Sequence, residues 1–411
     1  MRKLITVIIF VLFLVTAIAP QTGCGGETDK AEPVASESNR WLKLLSVLPE
    51  NEGTLKAAFL QDNAYLDEKK QQYPQYTEEY AIIRDHPLLF GDSPDDYSDE
   101  EWNETLGFTR GDVDQRIYAG ELPLSYYEAV RGRISLEDVD SAVKTGPMNE
   151  MLEVVPYQGH EFYSWGEDFG INIQYRSGVR PLGRGYRLAY IDGFIFWIKW
   201  TDGIKEMIDS YEGNIASLAD KEDYVLIAGA LEELDTVTAF FSAESQSVSH
   251  ISEIYKQVIG DPENNELRQR FVEEVQRETR LKPYRAFATG AGLDENGYYL
   301  AIVLANSSKE AARENATLLE QRINQSNIAW AWHSQSGDKW TDLIVNMEIE
   351  SKGRLTIAKL YGGAVECWVN FNVMGMLGLY EPLLITSDPD EETDTGETPF
   401  ADSNLEEAVR E

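Results

Sequence analysis

The chain has little sulfur, little imidazole and little positive charge. Its 411 residues include 2 Cys and 4 His, and 36 Lys+Arg stand against 71 Asp+Glu, a formal net charge of −35. Two cysteines exclude a disulfide scaffold and a cysteine-ligated zinc site. The shortage of bases excludes nucleic acid as a partner of the chain as a whole, because phosphate binding needs a basic footprint. His86, His160, His250 and His333 lie far apart and read as loop or surface residues. Familiar catalytic signatures are missing too. His160-Glu161 opens like a zincin motif, but the fifth residue is Ser164. Gly178 to Gly183 has phosphate-loop spacing, with Arg184-Gly185 where Lys-Ser/Thr belongs. Gly290-Ala291-Gly292 lacks the third glycine of a dinucleotide fingerprint, and no G-x-S-x-G occurs. Nothing in the sequence calls for a cofactor or a metal.

Apolar residues are not scarce. Hydrophobic residues make up 43% and aromatic residues 11%, which excludes a disordered chain. Arg2 and Lys3 precede an apolar run from Leu4 to Ala19. At about 1.5 Å per residue that run spans roughly 24 Å, short of the ~30 Å core of a bilayer. It fits an export signal better than a permanent membrane helix. Thr22 and Gly23 directly before Cys24 resemble the processing box of bacterial lipoproteins, where the cysteine becomes the first residue and carries the lipid; Gln21 stands where that box usually has Leu. Gly25 to Asn39 is a polar tether. The alternative is a plain signal cut near Cys24, giving a secreted protein in which a Cys24–Cys367 disulfide becomes available. Cys367, in Val365-Glu366-Cys367-Trp368-Val369, reads as a buried strand residue.

The exported part divides by texture. Residues 1–23 are the leader and 24–40 the tether. Residues 41–117 read as mainly helical, with an acidic loop at Asp92, Asp95, Asp96, Asp99, Glu100 and Glu101. Those oxygens suit Ca²⁺, but their spacing is not that of an EF-hand, and a solvated loop before a helix fits better. From about Tyr118 strands and helices alternate. Strands are expected at Ser125–Val130, Leu152–Val155, Glu161–Trp165 and Val237–Phe241, and a hairpin turns at Asp192-Gly193. Ser135 caps a helix with Val139 and Val143 on one face, and Thr201 or Asp202 caps another with Ile204, Met207, Ile208 and Tyr211. After two helices across 251–275 the plan recurs: strands at Arg285–Thr289 and Tyr298–Ala305, a helix capped by Ser307 with Glu310, an alternating strand at Ile328, Trp330 and Trp332, and a hairpin turned at Lys352-Gly353. The expected fold class is therefore α+β: two related modules, 118–243 and 244–386, each an antiparallel sheet with helices packed on one face, plus a helical N-terminal segment. Residues 387–411 form an acidic tail.

The run Asp192-Gly193-Phe194-Ile195-Phe196-Trp197-Ile198, then Ile204 to Tyr211, Glu212-Gly213 and Ser217-Leu218-Ala219-Asp220, resembles a recurring strand-hairpin-helix module of uncharacterised bacterial cell-envelope lipoproteins. The resemblance covers about residues 105–245. It implies an envelope lipoprotein held on the extracytoplasmic face of the membrane and supplies no catalytic residues. One group of bases interrupts the acidic chain. Arg176, Arg180, Arg184 and Arg187 have no acid between them and form a candidate clamp for a phosphate, a carboxylate or an anionic lipid headgroup. The function expected is that of a membrane-anchored, non-enzymatic binding or scaffold protein whose partner is an envelope protein or glycan. The alternatives are a glycan or peptide hydrolase using a carboxylate pair, and a calcium-dependent adhesion module.

Overall fold

A strand that reads as an unbroken apolar run must be buried on both faces. Phe194–Ile198 and Tyr298–Ala305 are such runs, and every residue in both is buried. The sheet they belong to is therefore covered front and back. The computed structural model describes residues 39–76, 83, 98–121, 125–177, 180, 183–244, 246–251, 274–275, 277, 279–328, 339–365, 367 and 382–388. The leader with Cys24, Asp92, Asp95 and Asp96, most of the two helices across 251–275, Trp330, Trp332 and the acidic tail lie outside them.

The strands among the described residues are β1 (Ala58–Asp62), β2 (Val113–Glu121), β3 (Ser125–Gly132), β4 (Leu152–Tyr157), β5 (His160–Trp165), β6 (Tyr186–Ile191), β7 (Phe194–Ile198), β8 (Thr238–Ser242), β9 (Tyr284–Asp294), β10 (Gly297–Asn306), β11 (Ile344–Lys352) and β12 (Leu355–Gly362). They form one 12-stranded sheet in the order β11-β12-β10-β9-β8-β1-β2-β3-β7-β6-β5-β4, with every neighbouring pair antiparallel. The helices are α1 (Arg40–Leu45), α2 (Glu52–Lys56), α3 (Asn63–Gln72), α4 (Asp99–Leu106), α5 (Leu136–Thr145), α6 (Thr201–Tyr211), α7 (Glu222–Glu233), α8 (Lys309–Gln325) and the short α9 (Trp340–Leu343). The protein is α+β, as expected.

The expected modules lie edge to edge in that one sheet, because β8 from the first pairs with β9 of the second. Within the first, β8 is joined to the remaining strands through the segment read as mainly helical. Besides its helices, that segment supplies β1, which pairs with β2 on one side and β8 on the other. Helices cover both faces. Trp41, Leu44 and Leu45 of α1, Ile204, Met207 and Ile208 of α6, and Tyr224, Ile227 and Leu231 of α7 pack with Leu60, Ile117, Phe196, Phe241 and Val303 on one face. Alanines 58, 119, 129, 189, 239, 288 and 301 belong to the same core and leave room for close helix approach. On the other face Leu319 and Ile323 of α8 meet Phe59, Phe240, Leu300 and Ile302, while Trp102 and Leu106 of α4 and Val139 and Val143 of α5 meet Ile195 and Trp197.

Local signals hold where they depend on a few residues. The β6–β7 hairpin turns through Asp192 (φ 46°) and Gly193 (φ 86°), the positive pair that a two-residue turn of matching twist requires. Ser135 Oγ accepts from Asp138 N at the start of α5. Three details differ. Ser308, not Ser307, caps α8, accepting from Ala311 N at 3.1 Å. Neither Thr201 nor Asp202 caps α6; the oxygen comes from Asp168, far back in the chain, which accepts from Thr201 N at 3.0 Å. Cys367 is buried as expected, but with Ala364 and Val365 it is helical rather than in a strand.

Arg322 of α8 is 1% exposed. Its guanidinium donates to the carbonyls of Leu383 (2.9 Å), Pro382 and Thr279, holding residues 382–384 against the helix. An orphaned buried carbonyl costs more than a hydrogen bond gains. Arg322→Met is therefore expected to lower unfolding stability by about 3 kcal/mol in urea titrations, and Arg322→Lys, with a smaller donor head, by less.

Candidate functional site

The four arginines fall into two kinds. Arg180 and Arg187 are 3% and 4% exposed. Arg180 donates from Nε to the Arg184 carbonyl (2.8 Å) and from Nη2 to the Gly183 carbonyl (3.3 Å). Arg187 donates to Thr201 Oγ1 (3.0 Å) and to the Gly166 carbonyl (3.0 Å), and its ion pair with Asp168 is 2.6 Å long. Burial pulls both guanidiniums below the usual arginine range. These two bases are used inside the protein. Asp168 turns back onto Arg187 and, by capping α6, ties the loop after β5 to the helix after β7. Arg176 is exposed and Arg184 half-buried, and neither side chain has an ion-pair partner among the described residues. The sequence pattern groups four bases; the structure buries two of them and leaves Arg176 exposed and Arg184 half-buried on one loop.

The acidic loop and the histidines divide similarly. Ser98 caps α4, and Asp99, Glu100 and Glu101 occupy its first turn, where the helix dipole favours negative charge. Asp99 also pairs with Arg110 at 3.2 Å. Among the described residues no group of three His, Cys, Asp or Glu side chains is placed to hold a metal ion. His160 lies 2.7 Å from Glu212, and His250 lies 3.1 Å from Glu244. His86 and His333 lie outside the described residues.

A cleft that the sequence does not announce opens where β1 ends. It has a volume of about 460 Å³ and is lined by Arg40, Asp62, Tyr65, Glu68, Asp114, Arg131 and Glu232, among others. Arg40 stacks on Tyr65 with Cζ 3.7 Å from the ring centroid, pairs with Glu232 at 3.2 Å and donates to the Thr236 carbonyl at 2.5 Å. Asp62 accepts from Tyr65 N at 3.0 Å and from Gln115 Nε2 at 2.9 Å. Behind the cleft Asp235 accepts from both Tyr65 Oη (2.7 Å) and Lys69 Nζ (2.8 Å). The same trio recurs along this end of the sheet, where Asp294 accepts from Tyr361 Oη at 2.9 Å and from Lys359.

The titration of these groups follows their surroundings. Burial raises the Glu232 carboxyl; Arg40 opposes that, while Asp235 and Asp62 reinforce it. Burial also pushes Asp235 up, but the hydrogen bonds from Lys69 and Tyr65 outweigh it and leave the carboxyl below its ordinary value. With four carboxylates against two guanidiniums, the lining suits a ligand that brings positive charge. No local sequence signal exists for this site, because Arg40, Tyr65 and Lys69 meet partners 166 to 196 residues away.

No protein-family model matches the chain, and no curated protein matches it. Among solved structures it is similar to TP0453 in crystal form I, at 10% identity and a TM-score of 0.36, covering 81% of this chain and 96% of that chain. Crystal form III gives 9% identity and a TM-score of 0.34, covering 79% of this chain and 96% of that chain. Crystal form IV gives 9% and 0.33, covering 81% and 99%. At these values the likeness carries no functional argument.

The Asp235 network gives a pH test. A carboxyl whose folded value is depressed adds stability above its unfolded value of 3.8 and loses it as pH falls through the folded value. Asp235 is half exposed, so the gain at neutral pH is modest, about 1 kcal/mol. Asp235→Asn is expected to lower Tm by about 2 °C at pH 7. The difference should shrink as pH falls below 3.8 in thermal melts at matched ionic strength.

Proposed function

We propose that this protein is a lipid-anchored extracytoplasmic protein whose folded body binds or scaffolds a partner outside the membrane. The observation that carries this reading is the order of features before the body: the apolar run Leu4–Ala19, the Thr22-Gly23-Cys24 box and the polar stretch Gly25–Asn39. Such a leader is too brief to hold the protein in a bilayer by itself, so a lipid on Cys24 supplies the attachment. The body adds two supporting points. No helix among the described residues is long and apolar enough to cross a membrane. The fold begins where the tether ends: Asn39 Nδ2 donates to the Ala228 carbonyl at 3.0 Å, and Arg40 is held by Glu232 and Thr236.

Binding rather than catalysis is favoured by how the cleft uses its groups. Asp62 accepts internal hydrogen bonds and Glu232 pairs with Arg40, and the acidic lining selects a cationic feature on an envelope protein or glycan. A second reading, hydrolysis by a carboxylate pair, has one specific observation in its favour. Glu232 is a carboxyl raised by burial with Asp62 in the same cleft, the kind of pairing that separates an acid from a base. Hydrolysis of a glycan or peptide that is lost in Glu232→Gln would select that reading.

The anchoring itself is tested on the mature N-terminus in a bacterial host. Mass spectrometry is expected to find Cys24 as the first residue, carrying lipid, and Cys24→Ser is expected to move the protein from the membrane to the soluble fraction. An intact leader on a cytosolic species contradicts the reading.

A further inference from the structure

Three apolar side chains project from one loop. Phe169 is 46%, Ile171 58% and Ile173 70% exposed, in the connection between β5 and β6. Scattered exposed apolar residues need no explanation, but three at alternate positions of one segment form a patch. The loop is not a loose one. Phe169 N donates to the Lys199 carbonyl (3.1 Å), Gly185 N to the Gly170 carbonyl (3.0 Å) and Asn172 N to the Gly183 carbonyl (3.3 Å). Asn172 Oδ1 starts a turn of 3₁₀ helix at Ile173–Tyr175 by accepting from Gln174 N. Phe169 holds a φ of 56°, which a bulky residue rarely adopts, and its ring stacks on Trp200 at 5.5 Å. The backbone is thus fixed in a shape that keeps these side chains outward.

The charge beside them has the opposite sign to the rest of the protein. Across residues 166–187 there are two acids, Glu167 and Asp168, and four bases, Arg176, Arg180, Arg184 and Arg187, a local balance of +2 in a chain of −35. Arg184, half-buried, forms a backbone bridge with Ile171, and the exposed Arg176 follows Ile173 by three residues, so both bases sit beside the apolar tip. Apolar side chains with arginines at their base are what an anionic bilayer interface accepts: the tip enters the acyl boundary while the guanidiniums stay at the phosphates.

We propose that the loop 169–176, with Arg184, is a second membrane contact that seats the body on an anionic lipid surface. This rests on the lipid-anchor reading. An anchored body meets the bilayer at high effective concentration, so even a weak contact is populated. The tether of residues 25–38, extended at about 3.5 Å per residue, reaches at most roughly 50 Å.

The test uses the full lipidated chain carrying an environment-sensitive fluorophore on Ile173→Cys, reconstituted in vesicles. Val345→Cys, at an 85% exposed apolar residue of β11, serves as the control position. The probe at 173 is expected to shift to a membrane-like emission in phosphatidylcholine vesicles containing phosphatidylglycerol and not in phosphatidylcholine alone. The probe at 345 is expected to remain aqueous in both. Arg176→Gln and Arg184→Gln are each expected to weaken the seated state about fivefold, while recovery with the vesicles stays unchanged. Aqueous emission at 173 on protein that floats with anionic vesicles overturns the proposal and leaves the anchor standing. Protein that fails to float fails the anchor reading, and the loop proposal falls with it. A shift at 173 that depends on protein concentration without vesicles assigns the loop to contact between copies and overturns the proposal as well.

Discussion

Five residues decide whether this protein is one body or two. β1 runs from Ala58 to Asp62 with every residue buried. Leu60 is the register partner of Ile117 on β2 and of Ala239 on β8. Without β1, each neighbour would present an unpaired edge and lose an apolar layer on both faces. Even Gln61 is absorbed: it is fully buried, and its Nε2 donates to Asn63 Oδ1 at 2.8 Å and to the Ile83 carbonyl at 3.2 Å. Residues near the start of the body thereby join strands whose remaining partners come from opposite halves of the chain.

That union sets the geometry of both surfaces considered above. By register, Asp62 lies beside Gln115, Val113 beside Gly132 and Arg131 beside Phe194, which places the cleft at one end of the strands. Trp165 pairs with Tyr186 and Arg187 with Ile198, so the loop after β5 leaves from the opposite end. With the cleft and the loop at opposite ends of one sheet, the proposed membrane seat would turn the acidic cleft away from an anionic surface. The same logic explains why Arg187 is internal. Its partner Asp168 must also cap α6, and one carboxylate meeting both demands fixes the root of the loop.

What could be read from the sequence was what depends on neighbours along the chain. The Asp192-Gly193 and Lys352-Gly353 turns, the Ser135 cap and the apolar faces of α5, α6 and α7 are set within a few residues, and the structure has them. β1 was hidden because Ala58-Phe59-Leu60-Gln61-Asp62 has neither alternation nor β-branched residues and lies between helix formers. The shared sheet was hidden because its joining pairs are set by burial in three dimensions. The arginine cluster was visible as a charge pattern, but not the inward turn of Arg180 and Arg187, which depends on carbonyls exposed by the loop's own path. The cleft had no local signal: Tyr65, Lys69 and Asp235 meet only after α3 and the end of α7 reach the same end of the sheet.

Native-state hydrogen exchange tests the single-body account most directly, since core amides that open only by global unfolding share one opening free energy. The account predicts that the slowest amides of β3 and β7 and those of β9 and β10 converge on the same value, with β1 among them. Two separate plateaus, with β1 exchanging ahead of both, would contradict it.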